Sequence, residues 1–288
     1  MFRSVAFLLL IACGLSAQPR IGIIDFYGDR KTSPNRILKT LKVKEGDPLP
    51  PSKSDLEEKL QDISGVARSF IEATCCENGQ AILYVGLEER GSPHFEFRLF
   101  QPEKELPIPS AVDVEALIRT IREADDPTMR ADAIALASNL PVSQPIIDAF
   151  QYAAQDPDST VRGIAVTGLV KAVAKIPESQ LELKPVVSPT WMIEMLNSVV
   201  WSDRMNAVEA LMNLTEERDP VLIDKIQERG LTSLVQMASW KHLPHALPPY
   251  LLLCRISEIP QAEAQSAWGA GEREKIITKI SRMKRKKG

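Results

Sequence analysis

Residues 130–137 read Arg130-Ala-Asp-Ala-Ile-Ala-Leu-Ala137, and the same register returns at residues 162–169 and 204–211. Each copy has an arginine, a small residue three positions later and an apolar ridge after that. A small residue at a fixed position lets a helix pack closely on copies of itself, and self-similarity over a few tens of residues is typical of stacked repeats. The sequence therefore predicts an array of stacked helices. The predicted stacking residues are Arg130, Ala133, Arg162, Ala165, Arg204 and Ala207.

The composition is that of an ordinary globular chain. The 288 residues are 44% hydrophobic and 25% charged, and the formal net charge is −3. Because no overall basic excess is present, a nucleic-acid partner is not expected. After the N-terminal segment, no stretch stays apolar over the roughly 20 residues that a membrane-spanning helix needs, so we expect no transmembrane segment.

The first 17 residues have the three parts of a secretory signal peptide. Arg3 supplies the positive charge, Val5–Ala12 the apolar region, and small residues follow. We therefore predict a signal peptide over residues 1–17 and a location in the periplasm or cell envelope. Leu10-Ile-Ala-Cys13 also resembles a bacterial lipobox, so lipid attachment at Cys13 is an alternative that bears on membrane anchoring.

Residues 20–100 predict a small mixed domain with the order β-α-α-β-β. Ile21–Phe26 alternates apolar side chains and is rich in β-branched residues, which indicates a strand. Asn78-Gly79 is a strong signal for a hairpin turn between two later strands. The other expected elements are helices that begin after Ser33 and after Ser52 or Ser54, and strands over Val66–Thr74 and Ala81–Glu88.

These residues resemble a POTRA (polypeptide-transport-associated) domain over about residues 20–98. POTRA domains are found in bacterial envelope proteins and often bind a partner strand at an exposed sheet edge. The resemblance therefore implies a protein partner, engaged at the edge of the first or middle strand. The matching elements are Ile21-x-Ile-Ile-x-Phe-x-Gly28, Lys42-x-Lys-Glu-Gly-Asp-Pro48, Ile63-Ser-Gly-Val66 and Leu83-Tyr-Val-Gly-Leu-Glu88.

After a proline-rich linker predicted over residues 101–111, the pattern becomes helical over residues 112–288. Asp126-Pro127 and Asp156-Pro157 each place a capping aspartate before a residue that needs no amide donor, which predicts two helix starts. The register that follows them resembles HEAT-type or PBS-lyase-type helical repeats and implies an α-solenoid. The expected fold class of the whole chain is α+β.

Cys75 and Cys76 are a candidate redox pair. A disulfide between adjacent cysteines is strained, and strained disulfides are the labile, regulatory ones. Successive strand residues point to opposite faces, so one core cysteine and one exposed cysteine is the alternative.

A metal site is poorly supported by His94, His242 and His245, because zinc sites need three or four ligands. Proline residues at positions 244, 248 and 249 also disfavour a helical presentation of His242 and His245. No nucleotide, phosphate-loop or nucleophile motif is present in the sequence. We therefore expect no enzymatic activity, no metal and no cofactor.

The recurring arginines are expected to tie neighbouring repeats together through charge-assisted hydrogen bonds to carboxylates near helix ends. The basic run Lys284–Lys287 suits the dipole of a helix C-terminus, and attraction to anionic lipid head groups is an alternative. The sequence thus predicts an exported, non-enzymatic adaptor that binds protein partners in a bacterial envelope. A thiol protein that uses Cys75 and Cys76, and a scaffold anchored through lipidated Cys13, are the alternatives.

Overall fold

A computed structural model describes residues 18–28, 31–98, 113–174 and 186–287. Side chains at positions 76, 77, 173, 174 and 283–287 lie outside the description. The described ranges also leave out the predicted signal peptide with Cys13 and the predicted linker. The signal peptide, the lipid attachment and the linker therefore stay predictions. Within the described ranges the chain is α+β, with a three-stranded mixed sheet and thirteen helices.

The N-terminal part has the predicted order β-α-α-β-β. Its elements are β1 (Ile21–Gly28), α1 (Pro34–Leu41), α2 (Lys53–Gln61), β2 (Val66–Glu77) and β3 (Gln80–Glu89). The strand order in the sheet is β1-β3-β2, in which β1 lies parallel to β3 and β2 lies antiparallel to it. The strand that comes last in sequence is therefore the central one.

Local chemistry explains where these elements begin and turn. The Ser33 hydroxyl caps α1 by accepting from the Arg36 amide, and the Ser52 hydroxyl caps α2 by accepting from the Asp55 amide. Asn78 and Gly79 join β2 to β3 with φ angles of 53° and 78°. Positive φ at both central residues is what a two-residue type I′ hairpin turn requires.

The helices after the sheet form an array in which pairs pack side by side. Their bounds are α3 (Val114–Glu123), α4 (Pro127–Ala137), α5 (Gln144–Ala153), α6 (Ser159–Ala174), α7 (Thr190–Met195), α8 (Trp201–Leu214), α9 (Pro220–Arg229), α10 (Leu231–Ala238), α11 (Leu243–Ile256), α12 (Gln261–Gly269) and α13 (Arg273–Lys287). Helices α4, α6, α8 and α11 are neighbours in that order. Each of the first three also packs against the helix that precedes it in sequence.

The start of α6 differs from the prediction. Asp126 caps α4 as expected, but α6 begins at Ser159, two residues after Pro157. Asp158 provides the cap, because its Oδ1 accepts from the amides of Thr160 and Val161 at 2.8 and 3.0 Å. The prediction that Asp156 caps this helix was therefore wrong; Asp156 is buried and makes a different contact.

Helix α11 also differs from the prediction, because it runs through Pro248 and Pro249. Pro244 lies in the first turn, where a proline removes no helical hydrogen bond. The two later prolines remove two hydrogen bonds early in the helix, and the buried side chains Tyr250, Leu252 and Leu253 that follow hold it in place. The expectation that the prolines disfavour a helical presentation was therefore wrong for His245, which lies in the first turn of α11, whereas His242 is the residue just before the helix.

Helices cover both faces of the sheet. Leu83 and Val85 of β3 pack with buried residues of α1 and α2, whereas Ile82 and Tyr84 belong to the core of the helical array. A strand that is buried on both faces reads as an unbroken apolar run, as Ala81–Val85 does. The sheet is thus the middle layer between two helical layers, and the array shares one core with it.

We predict that Gly86→Ala lowers the free energy of unfolding by about 1–3 kcal/mol. A Cβ at Gly86 would lie 2.5 Å from the Tyr27 ring, so the ring would have to leave its buried position. Gly269→Ala is the matched control, because nothing lies within 4 Å of a Cβ at that helical position. Urea unfolding of both variants checks this. Equal stability of the two would contradict the packing described here.

Candidate functional site

The first arginine of the repeated register forms a buried ion pair across two helix pairs. Arg130 donates from Nε and Nη2 to the two carboxylate oxygens of Asp156, each at 2.7 Å. Its Nη1 donates to the backbone carbonyls of Ala124 and Asp125 at 2.8 and 2.9 Å. Both side chains are almost fully buried. Arg130 therefore joins the turn before α4 to the turn before α6.

Arg162 repeats this arrangement one helix pair further on. Its Nε and Nη2 donate to the Asp203 carboxylate at 2.9 and 2.8 Å. Its Nη1 donates to the carbonyls of Asp156 and Pro157 at 2.7 and 2.9 Å. Arg162 thus has the same two kinds of partner as Arg130, a carboxylate ahead of it and two carbonyls of the turn behind it.

The carboxylate in the second step comes from a different sequence position. Asp156 lies six residues before Arg162, and the residue six before Arg204 is Ser198. Asp203 takes over the role from the residue immediately before Arg204, and the Ser198 hydroxyl donates to it at 2.7 Å. The interaction recurs although the sequence pattern does not. For this reason sequence reasoning named Asp156 only as a helix cap and did not single out Asp203.

Arg204, the third arginine, has no carboxylate partner among the described residues. Its Nε donates to the Ser198 carbonyl, and its guanidinium carbon lies 4.8 Å from the centre of the Tyr27 ring of β1. The Nη1 atom is buried and has no hydrogen-bond partner in the described part of the chain. Burial lowers the pKa of Arg204 to about 10. The sheet therefore occupies the place where the next carboxylate would be.

A second aromatic residue of the N-terminal part covers Arg162. The Phe97 ring centre lies 4.2 Å from the guanidinium carbon of Arg162, which is within cation–π range. Arg98 then donates to the Tyr152 carbonyl at the end of α5 and stacks over the Tyr152 ring. Aromatic rings of the N-terminal part therefore contact two of the three arginines, Arg162 and Arg204. The small residues Ala133, Ala165 and Ala207 are buried at the helix contacts.

The outer edge of β1 is occupied by side chains of the helical array. Gln236 of α10 accepts from the Gly28 amide at 3.1 Å and donates to the Gly28 carbonyl at 2.5 Å. Trp240 Nε1 donates to the Phe26 carbonyl at 3.2 Å. Asp25 accepts from the amides of Lys241 and His242 at 2.9 and 3.2 Å and so caps α11 from another part of the chain.

An aromatic and histidine cluster fills the contact between β3 and the array. Tyr84 stacks on Trp201 with ring centres 5.0 Å apart, and its hydroxyl lies 2.6 Å from His245 Nδ1. The His242 and His245 rings lie 4.1 Å apart. Burial, and secondarily the charge of His242, lowers the pKa of His245 to about 4. The pair lies together as a packing cluster on the sheet, and His94 lies elsewhere beside Glu96.

The candidate redox pair is only half described. Cys75 is exposed near the end of β2 and is disulfide-bonded, but the Cys76 side chain lies outside the described residues. The pairing of these two therefore stays a prediction. Cys254 is a buried free thiol, and burial raises its pKa to about 11. A neutral, buried thiol of this kind is poorly reactive.

A groove of about 590 Å³ runs along the exposed side of α6, between α4 and α8. Short polar side chains line it, and Lys171 provides the one cationic group among its lining residues. Such side chains offer hydrogen-bond donors and acceptors to a bound chain. The polar lining residues other than Lys171 are Ser138, Asn139, Ser159, Thr160, Thr167, Ser202 and Asn206.

No three histidine, cysteine or carboxylate side chains come together as a metal site in the described ranges. Among the helices that the structure describes, none combines the length and the apolar character required to cross a bilayer. No protein-family model matches the sequence, and no curated protein or solved structure matches it significantly. The function must therefore be inferred from the residues and contacts themselves.

We predict that Arg162→Met lowers the free energy of unfolding by about 3–5 kcal/mol, because it leaves the buried Asp203 carboxylate without its cation. Arg204→Met is the matched control at the equivalent helix position. We expect it to lower stability by only about 1–2 kcal/mol, since no carboxylate loses a hydrogen-bonded partner there. Denaturant unfolding of both variants measures the difference. A larger loss of stability in Arg204→Met than in Arg162→Met would contradict the ion pair between Arg162 and Asp203.

A second prediction concerns the pH dependence of stability. The folded pKa of His245 is lowered from 6.5 to about 4. Its contribution to the free energy of unfolding is therefore complete above pH 6.5 and is lost as the pH falls toward 4. His245→Asn keeps an acceptor for Tyr84 without the titration and is expected to flatten this loss.

His94 provides the control of opposite sign. A hydrogen bond with the Ser92 carbonyl and, to a smaller extent, one with Glu96 raise the pKa of His94. The contribution of His94 to the free energy of unfolding is therefore present below about pH 6.5 and is lost as the pH rises through the folded pKa. His94→Asn should therefore steepen the acid-induced loss of stability. The measurement is the unfolding free energy from pH 4 to pH 8. Parallel curves for the two variants would refute the assignment.

Proposed function

We propose that this chain is an exported, non-enzymatic adaptor of a bacterial cell envelope, which binds protein partners through a POTRA-like sheet edge and HEAT-like helical repeats. The observation that carries the proposal is the row of buried arginines, in which Arg130 and Arg162 tie successive helix pairs together beside the groove along α6. Stacked helix pairs of this kind create extended binding surfaces. The order β-α-α-β-β of the N-terminal part supports the POTRA-like assignment.

The partner's strand is proposed to add to β2 and not to β1. Gln236 and Trp240 already bind the outer backbone groups of β1, so the first strand is closed to a partner in this conformation. On β2 the Ile71 amide donates to Glu57 Oε1 at 2.7 Å and therefore points away from β3. Ala73 lies two residues further on and presents its backbone the same way. No other described strand pairs with that side of β2, although Glu57 of α2 already binds the Ile71 amide.

The groove beside α6 is proposed as the second contact with a protein partner. Polar and apolar groups share its lining, and Lys171 is the one charged residue among them. An extended peptide carries unpaired backbone amides and carbonyls, which short hydroxyl and amide side chains can bind without selecting strongly for charge. Specificity would then come from the sheet edge and the groove acting together.

The location rests on the predicted signal peptide over residues 1–17 and, for a lipid-anchored form, on Cys13. A thiol role is the second candidate function, and the observation that favours it is the exposed disulfide at Cys75. The two functions differ in what they require. The adaptor needs an open β2 edge or the groove, whereas the thiol protein needs Cys75.

The test is crosslinking of the tagged protein in intact source cells, followed by mass spectrometry of the crosslinked peptides. We expect a reproducible envelope protein with crosslinks to β2 or to the α6 groove. Ala73→Pro removes the outward amide without breaking the β2–β3 ladder, and Thr167→Arg fills the groove. At least one of these should reduce capture about tenfold or more, since a lost surface of this kind is worth at least 1.4 kcal/mol.

Three variants serve as controls. Ala73→Ser keeps the amide, Thr128→Arg adds the same bulk and charge at an exposed position outside the groove, and Cys75→Ser removes the disulfide. Capture should survive all three. Loss of capture in Cys75→Ser alone would favour the thiol role, and crosslinks confined to other surfaces, or none above background, would refute the adaptor.

A further inference from the structure

Helix α13 differs in charge from the rest of the molecule. Over Arg273–Lys287 it carries eight lysine or arginine residues and a single acidic residue, Glu274, although the whole chain has a net charge of −3. The remaining residues are therefore distinctly acidic. A basic helix on an acidic body gives the molecule a charge asymmetry that can orient it toward an anionic surface.

The first half of α13 is fixed firmly to the array. Ile276, Ile277 and Ile280 are buried against neighbouring helices, and α13 packs on α10, α11 and α12. The Arg273 guanidinium donates to the Trp240 carbonyl at 2.6 Å. Because the apolar side of this first half is used in the packing, its polar side, up to Arg282, faces outward.

The outward side presents a basic stripe made of Lys275, Lys279 and Arg282. Spacings of four and three residues place these side chains on one face of the helix. They line a shallow, open surface depression together with Glu274 and Thr278. Arg282 forms no ion pair within the described residues.

Two lysines of the basic stripe contact acidic residues. Lys275 pairs with Glu272 at 2.5 Å and Lys279 with Glu263 at 2.7 Å. All four side chains are well exposed, and exposed ion pairs of this kind contribute little to stability. The lysines therefore remain available to a stronger anionic partner.

We infer that the basic stripe docks this protein on an anionic lipid surface, with α13 lying against the head groups. This inference rests on the proposed envelope location. Attraction between several basic side chains and acidic lipids is additive and extends over a Debye length of about 8–10 Å. The outward face of the stripe offers no apolar side chain for insertion, so the contact is electrostatic and peripheral.

A lipid surface fits the stripe better than a nucleic acid does. Proteins that bind single strands use aromatic side chains on which bases stack, and the sequence of α13 contains no aromatic residue. The stripe is also an open surface and not a groove that follows a strand. A planar array of anionic head groups matches it without further requirements.

The test is sedimentation of the full chain with two kinds of vesicle. One kind is phosphatidylcholine alone, and in the other about one-third of the lipid is phosphatidylglycerol. We expect binding to the anionic vesicles only, with release as salt rises from about 50 mM to about 500 mM. The variant K275Q/K279Q/R282Q should bind the anionic vesicles about 100-fold more weakly at the lower salt concentration.

The matched control is R36Q/K39Q/K59Q, which removes the same charges from exposed positions on α1 and α2. It should bind like the unchanged protein to within about twofold. Equal losses in the two triple variants, equal binding to both vesicle types, or no binding at all would overturn the inference. Tighter binding of a duplex oligonucleotide than of anionic vesicles at the same salt would overturn it too.

Circular dichroism of both variants establishes that each remains folded. The crosslinking experiment reports separately on the adaptor. If K275Q/K279Q/R282Q retains its protein partner but the unchanged protein ignores anionic vesicles, only the lipid inference fails. If the unchanged protein binds anionic vesicles and no partner is captured, the adaptor proposal is refuted and the lipid inference is supported.

Discussion

A buried guanidinium must be surrounded by acceptors, and this requirement organises the helical part of the molecule. Arg130 and Arg162 each lie in a core where an unpaired charge would be strongly destabilising. Each is satisfied only if the next helix pair brings a carboxylate to it and its own turn brings two carbonyls. The spacing of the pairs follows from that geometry, and the alanines three residues later permit the close approach of the helices.

The same requirement explains why the sheet lies where it does. Arg204 is the last arginine of the row, and beyond it no described carboxylate is available. The Tyr27 ring covers its guanidinium instead, while the Tyr27 hydroxyl donates to the Val199 carbonyl at 2.8 Å. The N-terminal part thus ends the row of arginines on one side, and its sheet acquires a second helical layer in return. What the sequence presents as two successive modules packs as one body.

How much could be predicted from the sequence depended on the distance over which each interaction acts. The caps at Ser33 and Asp126, the Asn78-Gly79 turn and the element order were predictable, because their chemistry is complete within a few residues. The partners of the arginines were not, since Asp203 replaces the position equivalent to Asp156 and only the folded chain brings it to Arg162. Contacts such as that between Asp25 and Lys241, 216 residues apart, leave no local pattern at all.

The amide of Gln236 binds both backbone groups of Gly28 and so imitates one residue of a neighbouring strand. This substitute strand lies 208 residues after the one it completes. A ribosome adds about 5–20 residues per second, so β1 waits roughly 10–40 s for it during synthesis. During that interval one face and one edge of the sheet are uncovered. The chain therefore reaches its folded state only after its C-terminal third exists, and until then its first hundred residues need protection from unwanted strand pairing.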